Sequence, residues 1–155
     1  MSRAVRLVGL LLAVLSISAC TWRVASPSSL AETVRIQVVA DRGRLPRAGP
    51  ELQSAVAQSV AYRTGWQVRG DGSARLDLSI DKDDFGATAR DERDIASRWR
   101  YSLSVTALLV TANGTATWTG SGTGYAGSRV EEIAAVRTAT TDVADSLARW
   151  LAARP

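Results

Sequence analysis

Residues 98–123 read RWRYSLSVTALLVTANGTATWTGSGT. Trp99, Tyr101, Leu103, Val105, Ala107 and Leu109 alternate with Arg98, Arg100, Ser102, Ser104 and Thr106. A period of two puts the first set on one face of a strand and the second on the other. Asn113-Gly114 is a preferred hairpin turn. Beyond it Ala116, Trp118, Gly120 and Gly122 alternate with Thr115, Thr117, Thr119, Ser121 and Thr123, so a second strand folds back on the first. Each strand has an apolar or small face and a polar face, as in an antiparallel sheet covered on one side.

The pattern extends outward from this hairpin. Upstream, Leu76, Leu78 and Ile80 alternate with Arg75, Asp77, Ser79 and Asp81, and Val34, Ile36 and Val38 alternate with Arg35 and Gln37. Both stretches predict strands. Between them Leu52, Ala55, Val56 and Val60 fall at helical spacing. Pro50 is the expected first helical residue with Gly49 as cap, and Thr64-Gly65 is the expected end. Trp66-Gln67-Val68 then leads into a Gly-Asp-Gly turn at 70–72. Residues 83–96 are charged and contain Gly, which predicts a long exposed connection. Downstream, Ser128-Arg-Val-Glu131 has the form of a capping box. Ile133, Val136, Val143, Leu147, Trp150 and Leu151 give the stripe of a final helix. The expected fold class is α+β: a mostly antiparallel four-stranded sheet with two helices on one face, in the order β-α-β-β-β-α. Trp66, Trp99, Tyr101 and Trp118 are expected in the core.

The first residues have a different logic. Arg3 and Arg6 precede the apolar run LVGLLLAVLSI at 7–17, which ends in Ile17-Ser18-Ala19-Cys20. The run has the length of an export-signal core and is too short to span a bilayer, which takes about 20 apolar residues. A branched apolar residue, two small residues and Cys resemble the bacterial lipobox. That resemblance implies diacylglycerol on the Cys20 sulfur, cleavage before Cys20 and acylation of the new amine. Two or more acyl chains hold a protein stably on a membrane. The expected organisation is a removed signal at 1–19, a lipidated Cys20 with a flexible tether at 20–32, and a single domain at 33–155. Thr21 stands where Asp would retain a lipoprotein in the inner membrane, so the expected site is the outer membrane, lipid-anchored and facing the periplasm.

Composition narrows the chemistry. The chain has no His and one Cys, at position 20. Without His the commonest general base and metal ligand are missing, and a lone Cys makes no internal disulfide. Neither an enzyme activity, a metal, a cofactor nor nucleic-acid binding is expected. Of the 19 basic residues, Arg3 and Arg6 leave with the signal, and the rest stand against 15 acidic ones, a mature balance of +2. Lys82 is the one Lys. Arg suits anionic partners through bidentate contacts. Coding bias is the competing source of the Arg excess, and the many Ala residues favour it. Asp81, Asp83, Asp84, Asp91, Glu92 and Asp94 lack Ca²⁺-loop order and are interleaved with Arg90 and Arg93, which marks a solvated hairpin. Gly120-Ser-Gly-Thr-Gly124 lacks the Lys of a phosphate-binding loop, and its glycines suit twist, a bulge or close packing under a helix. The candidate anionic-lipid site is Arg98 and Arg100, with Arg75 and Arg35 on neighbouring strands extending a basic stripe. The competing reading of those arginines is cross-strand pairing with Asp77 or Asp81.

The lipobox, the short tether and the strand order resemble the lipopolysaccharide-assembly lipoprotein family, LptE. The stretches that carry the resemblance are Val34-Arg-Ile-Gln-Val-Val39, Tyr62-Arg-Thr-Gly-Trp66, Ala74-Arg-Leu-Asp-Leu-Ser-Ile80 and Arg100-Tyr-Ser-Leu-Ser-Val-Thr-Ala107. The resemblance implies a non-catalytic plug inside the outer-membrane barrel LptD, which aids barrel assembly and delivery of lipopolysaccharide to the surface. It also implies that basic residues of the sheet meet lipopolysaccharide. The alternative is an auxiliary lipoprotein of a phospholipid-transport ABC system or of another envelope complex.

Overall fold

The computed structural model describes residues 33–90, 92 and 96–154. Cys20, the signal and the tether lie outside the described residues, as do Asp91, Arg93 and Asp94. The elements are β1 (Thr33–Asp41), α1 (Ala48–Thr64), β2 (Gln67–Val68), β3 (Ala74–Arg90), β4 (Ala96–Thr111), β5 (Gly114–Ala126), a 3₁₀ turn (Arg129–Glu131) and α2 (Glu132–Ala152).

The sheet has five strands in the order β2-β1-β3-β4-β5. It is mixed, not the mostly antiparallel four-stranded sheet that the alternation predicts. β1 runs parallel to both β2 and β3, while β3–β4 and β4–β5 are antiparallel. The cause lies in α1. A helix between two strands carries the chain back along the sheet, so the next strand starts at the same end as the first. β2 comes from the short Gln67-Val68 segment, too brief to show a period.

The stretch at 83–90 is strand, not an exposed connection. Phe85 and Ala87 pair with Tyr101 and Trp99, and the Phe85 and Trp99 rings stack at 5.2 Å. The aromatic first half of β4 needs a partner of equal length, and β3 supplies it despite its charged residues. A bulge between Ile80 and Lys82 fixes the phase of this outer half. Asp81 is the extra residue, and its Oδ2 accepts a hydrogen bond from Thr106 Oγ1 at 2.7 Å.

Helix ends follow local chemistry. α1 begins at Ala48, two residues before the predicted Pro50 start, and ends at Gly65, whose φ of 73° and N–H bond to the Ala61 carbonyl make a left-handed cap. The Ser128 side chain makes no capping bond. Glu131 instead accepts from the Gly127 N–H at 2.9 Å, and α2 starts one residue later.

Core residues come from one face of the sheet and the facing sides of both helices: Leu76, Leu78, Leu103 and Val105 with Leu52, Val56, Val143 and Leu147, among others. Tyr101 is fully buried, and Trp66, Trp99 and Trp118 pack partly buried against this core, as the sequence predicts. Gly122 and Gly124 let α2 settle on β5. A Cβ on either would run into backbone atoms of Ala139 or Ala135. The α1–α2 seam carries a polar clasp: Asp145 on α2 accepts from Ser59 Oγ at 2.9 Å and from Arg63 at 3.0 Å on α1. Those two hydrogen bonds hold the Asp145 carboxyl below the usual aspartate range. Among the described residues no helix is long and apolar enough to cross a membrane.

Candidate binding face

Among the described residues no layer covers the face of the sheet opposite the helices. Its middle is a field of hydroxyls. Ser102, Ser104 and Thr106 on β4 lie directly opposite Thr123, Ser121 and Thr119 on β5. Short hydroxyl side chains at cross-strand positions leave a flat, hydrogen-bonding surface with no net charge.

Charge stands beside this field and at its two ends: on β3 Asp81, Lys82 and Asp84 lie alongside Thr106, Ser104 and Ser102. At one end Arg35 and Arg75 are register partners on β1 and β3. The Arg75 Nε sits 2.9 Å from Asp77 Oδ2, and Asp77 Oδ1 accepts from Gln37 Nε2 at 2.8 Å. At the other end Arg98 and Arg100 flank Trp99 on β4, both exposed, with Tyr125 opposite Arg100. Among the described residues no carboxylate pairs with either of them.

The predicted basic stripe is therefore two separate features. Arg75 lies opposite Val110 and Arg100 opposite Gly86. Ten residues of one strand between positions 100 and 110 span about 34 Å. Arg75 pairs with Asp77 two residues along its own strand and not across strands, while among the described residues Arg98 and Arg100 make no ion pair. The Gly-rich run 120–124 lies within β5, and Gly122 and Gly124 serve close packing under α2.

One structural device was missed by sequence reasoning. Asp83 is 3 % exposed and sits inside, not on a solvated hairpin. Its Oδ1 accepts from the Arg44 N–H, and its Oδ2 from the Leu45 N–H at 3.1 Å and the Tyr101 hydroxyl at 3.2 Å. The carboxylate pins the 42–47 loop to the outer half of the sheet. Burial, then the Asp83 charge, push the Tyr101 phenol above the ordinary tyrosine range. No sequence signal marks Asp83, because the bulge at Asp81 shifts the alternation that would place it.

Beside this clamp Leu45, Pro46, Ile133 and Val136 line an apolar cleft of about 170 Å³, along with Arg47, Glu51 and Glu132. Among the described residues no group of three or more His, Cys, Asp or Glu side chains converges to hold a metal ion.

No family model matches the chain, and no curated protein matches it. Solved structures do. A minor lipoprotein of Acinetobacter baumannii is 13% identical with a TM-score of 0.53, over 80% of this chain and 92% of that one. Rare lipoprotein B of Shewanella oneidensis is 11% identical with a TM-score of 0.51, over 76% and 93%. The dodecameric PelC of Paraburkholderia phytofirmans is 18% identical with a TM-score of 0.51, over 74% and 87%. The fold is shared with bacterial lipoproteins. At these identities the likeness is one of fold, and it agrees with the lipobox reading of Ile17–Cys20.

Proposed function

We propose that this chain is an outer-membrane lipoprotein, anchored through lipid on Cys20, that docks without catalysis into a large outer-membrane barrel of the LptD kind and serves delivery of lipopolysaccharide to the cell surface. The observation that carries the reading is the uncovered polar face. A sheet of this length leaves its hydroxyl field and the Arg98–Arg100 pair open, while its other face is filled by two helices. A wet, flat, hydrogen-bonding surface suits the polar lumen of a large barrel. The fold shared with rare lipoprotein B supports the same placement. Arg98 and Arg100 are the residues assigned to lipid phosphate, by bidentate, charge-assisted hydrogen bonds. Arg75, already engaged by Asp77, is secondary.

Two measurements test the reading. Affinity purification of the lipidated chain from membranes is expected to recover an outer-membrane β-barrel. Recovery with the substrate-binding subunit of an inner-membrane transporter would overturn it in favour of the auxiliary-lipoprotein alternative. Replacing both Arg98 and Arg100 with Ala is expected to weaken binding of purified lipopolysaccharide while leaving the circular dichroism spectrum unchanged. Unchanged binding by the folded double variant removes these residues from the site. Cys20→Ala is expected to move the chain out of the membrane fraction.

A further inference from the structure

β5 and β2 are the two edges of the sheet. β2 is two residues long and β5 is 13. A long edge offers a row of unpaired N–H and C=O groups to any other strand, and proteins blunt it with charge, proline or a bulge. β5 has none of these. Residues 114–126 contain no Asp, Glu, Lys, Arg or Pro, and the ladder to β4 runs without a register shift.

The hairpin closes on the pair Thr111–Gly114. In a two-residue hairpin that pair exchanges hydrogen bonds, and the pattern alternates from there. Odd-numbered residues of β5 thus turn their backbone groups toward the free edge. They are the hydroxyl residues Thr115, Thr117, Thr119, Ser121 and Thr123, followed by Tyr125.

We propose that β5 pairs antiparallel with β5 of a second copy, on a two-fold axis through Thr119. The strand is complementary to itself in this register. On the open face Thr115 meets Thr123, Thr117 meets Ser121, and Thr119 meets its own copy. On the helix side Trp118 meets Gly120, and Ala116 meets Gly122. The Trp118 ring already lies over Gly120 of its own strand, where a Cβ would strike it. The two indoles therefore come side by side across the axis with glycines beneath them, a favourable aromatic arrangement. Moving the axis by one or two residues fits less well. An axis through Gly120 sets Trp118 against Gly122, which the backbone of α2 covers, and an axis through Trp118 sets the two indoles in direct opposition. An axis through Ser121 sets Trp118 against Gly124, which the backbone of α2 covers. An axis through Thr117 sets it against Ala116 and leaves only positions 114–120 paired. An uncharged strand meets its copy without like-charge repulsion, and the open hydroxyl face continues across the junction. The occupant is a second copy of this chain, and the pairing is independent of any barrel partner.

Site-directed disulfides test the register in the full chain, in membranes. At a hydrogen-bonded antiparallel pair the Cα atoms are about 5.5 Å apart, within disulfide reach. Thr119→Cys is expected to give a linked dimer on mild oxidation, more than about tenfold over Thr115→Cys, because two copies of residue 115 stand eight residues apart, roughly 27 Å. Co-expressed Thr115→Cys and Thr123→Cys chains are expected to link to each other. The parent chain, whose one thiol is Cys20, is the control. A linked parent dimer counts against lipidation of Cys20, and the same comparison in a Cys20→Ser background then decides the pairing by itself. A folded Thr119→Cys chain that stays monomeric, or Thr115→Cys linking as readily, overturns the proposal. Thr119→Arg sets two guanidinium groups against each other on the axis. Sedimentation is expected to show this variant as a monomer where the parent dimerises, and an equal dimer fraction in the two also overturns the proposal.

Discussion

The two faces of this sheet are made from the same strands and answer to different constraints. On the covered face the central positions are buried in the core beneath the helices, and small changes of volume have nowhere to go. Gly122 and Gly124 are glycines because the backbone of α2 occupies the space of a side chain. On the open face Thr117, Thr119 and Ser121 meet solvent, and their identity is free of packing. A residue moved by one position along a strand crosses from one regime to the other. Stability of the domain is therefore concentrated on one side, and the other side is available for recognition.

Four measurements break or sharpen this contrast. The largest effect is expected from Gly124→Leu, which forces α2 off β5. Overpacking against side chains costs about 1–3 kcal/mol, and here the obstacle is backbone, so a loss of at least about 3 kcal/mol is expected in urea unfolding. Tyr101→Phe comes next. It removes one of three donors to the buried Asp83 carboxylate, and a cost of about 1–2 kcal/mol is expected. It also changes the alkaline limb. The folded state raises the Tyr101 phenol, so its contribution is whole below about pH 10 and is lost as the pH rises beyond the ordinary tyrosine value. The parent is expected to lose stability there more steeply than the Phe variant.

A smaller effect is expected at the seam of the two helices. Arg63→Ala removes one bond to Asp145. Both side chains are partly exposed, so solvent screening limits the loss to under about 1 kcal/mol. The Asp145 carboxyl is held low in the folded state, so its contribution is present above the ordinary aspartate range and is lost as the pH falls through its lowered value. The gap between parent and Arg63→Ala is expected to close in acid, as read from paired thermal melts. The smallest effect is expected at Thr117→Ala on the open face, within about 0.5 kcal/mol. A large loss at Thr117 would mean that the open face is covered after all.

Much of this division was legible in the alternation at 99–109, whose two faces are the covered and open faces found. Close packing under a helix was one of three readings open for the glycines at 122 and 124, beside twist and a bulge, and Gly65 was readable as a helix end. What escaped has identifiable causes. Parallel pairing of β1 depends on where α1 returns the chain, and a strand's own pattern is the same whichever way its neighbour runs. β3 beyond Lys82 reads as charged loop because its alternation is out of phase with the part before Asp81. The same phase break hid Asp83. For the candidate face, the separation of Arg75 from Arg100 follows from register along β4, which residue types on individual strands do not encode.

The extra residue at Asp81 has a further meaning for how this domain can vary. Ile80 pairs with Val105 and Lys82 with Ser104, so the ladder steps over Asp81 and the residues on either side already hold the faces they would have without it. Deleting Asp81 would therefore close the ladder and leave Asp83 and Phe85 inside, at the cost of the bond from Thr106. A one-residue deletion within the regular run between Lys82 and Ala87 would instead turn the residues beyond it to the opposite face, up to the next register shift. Loss of a single residue from this strand is therefore expected at Asp81 and not within that run.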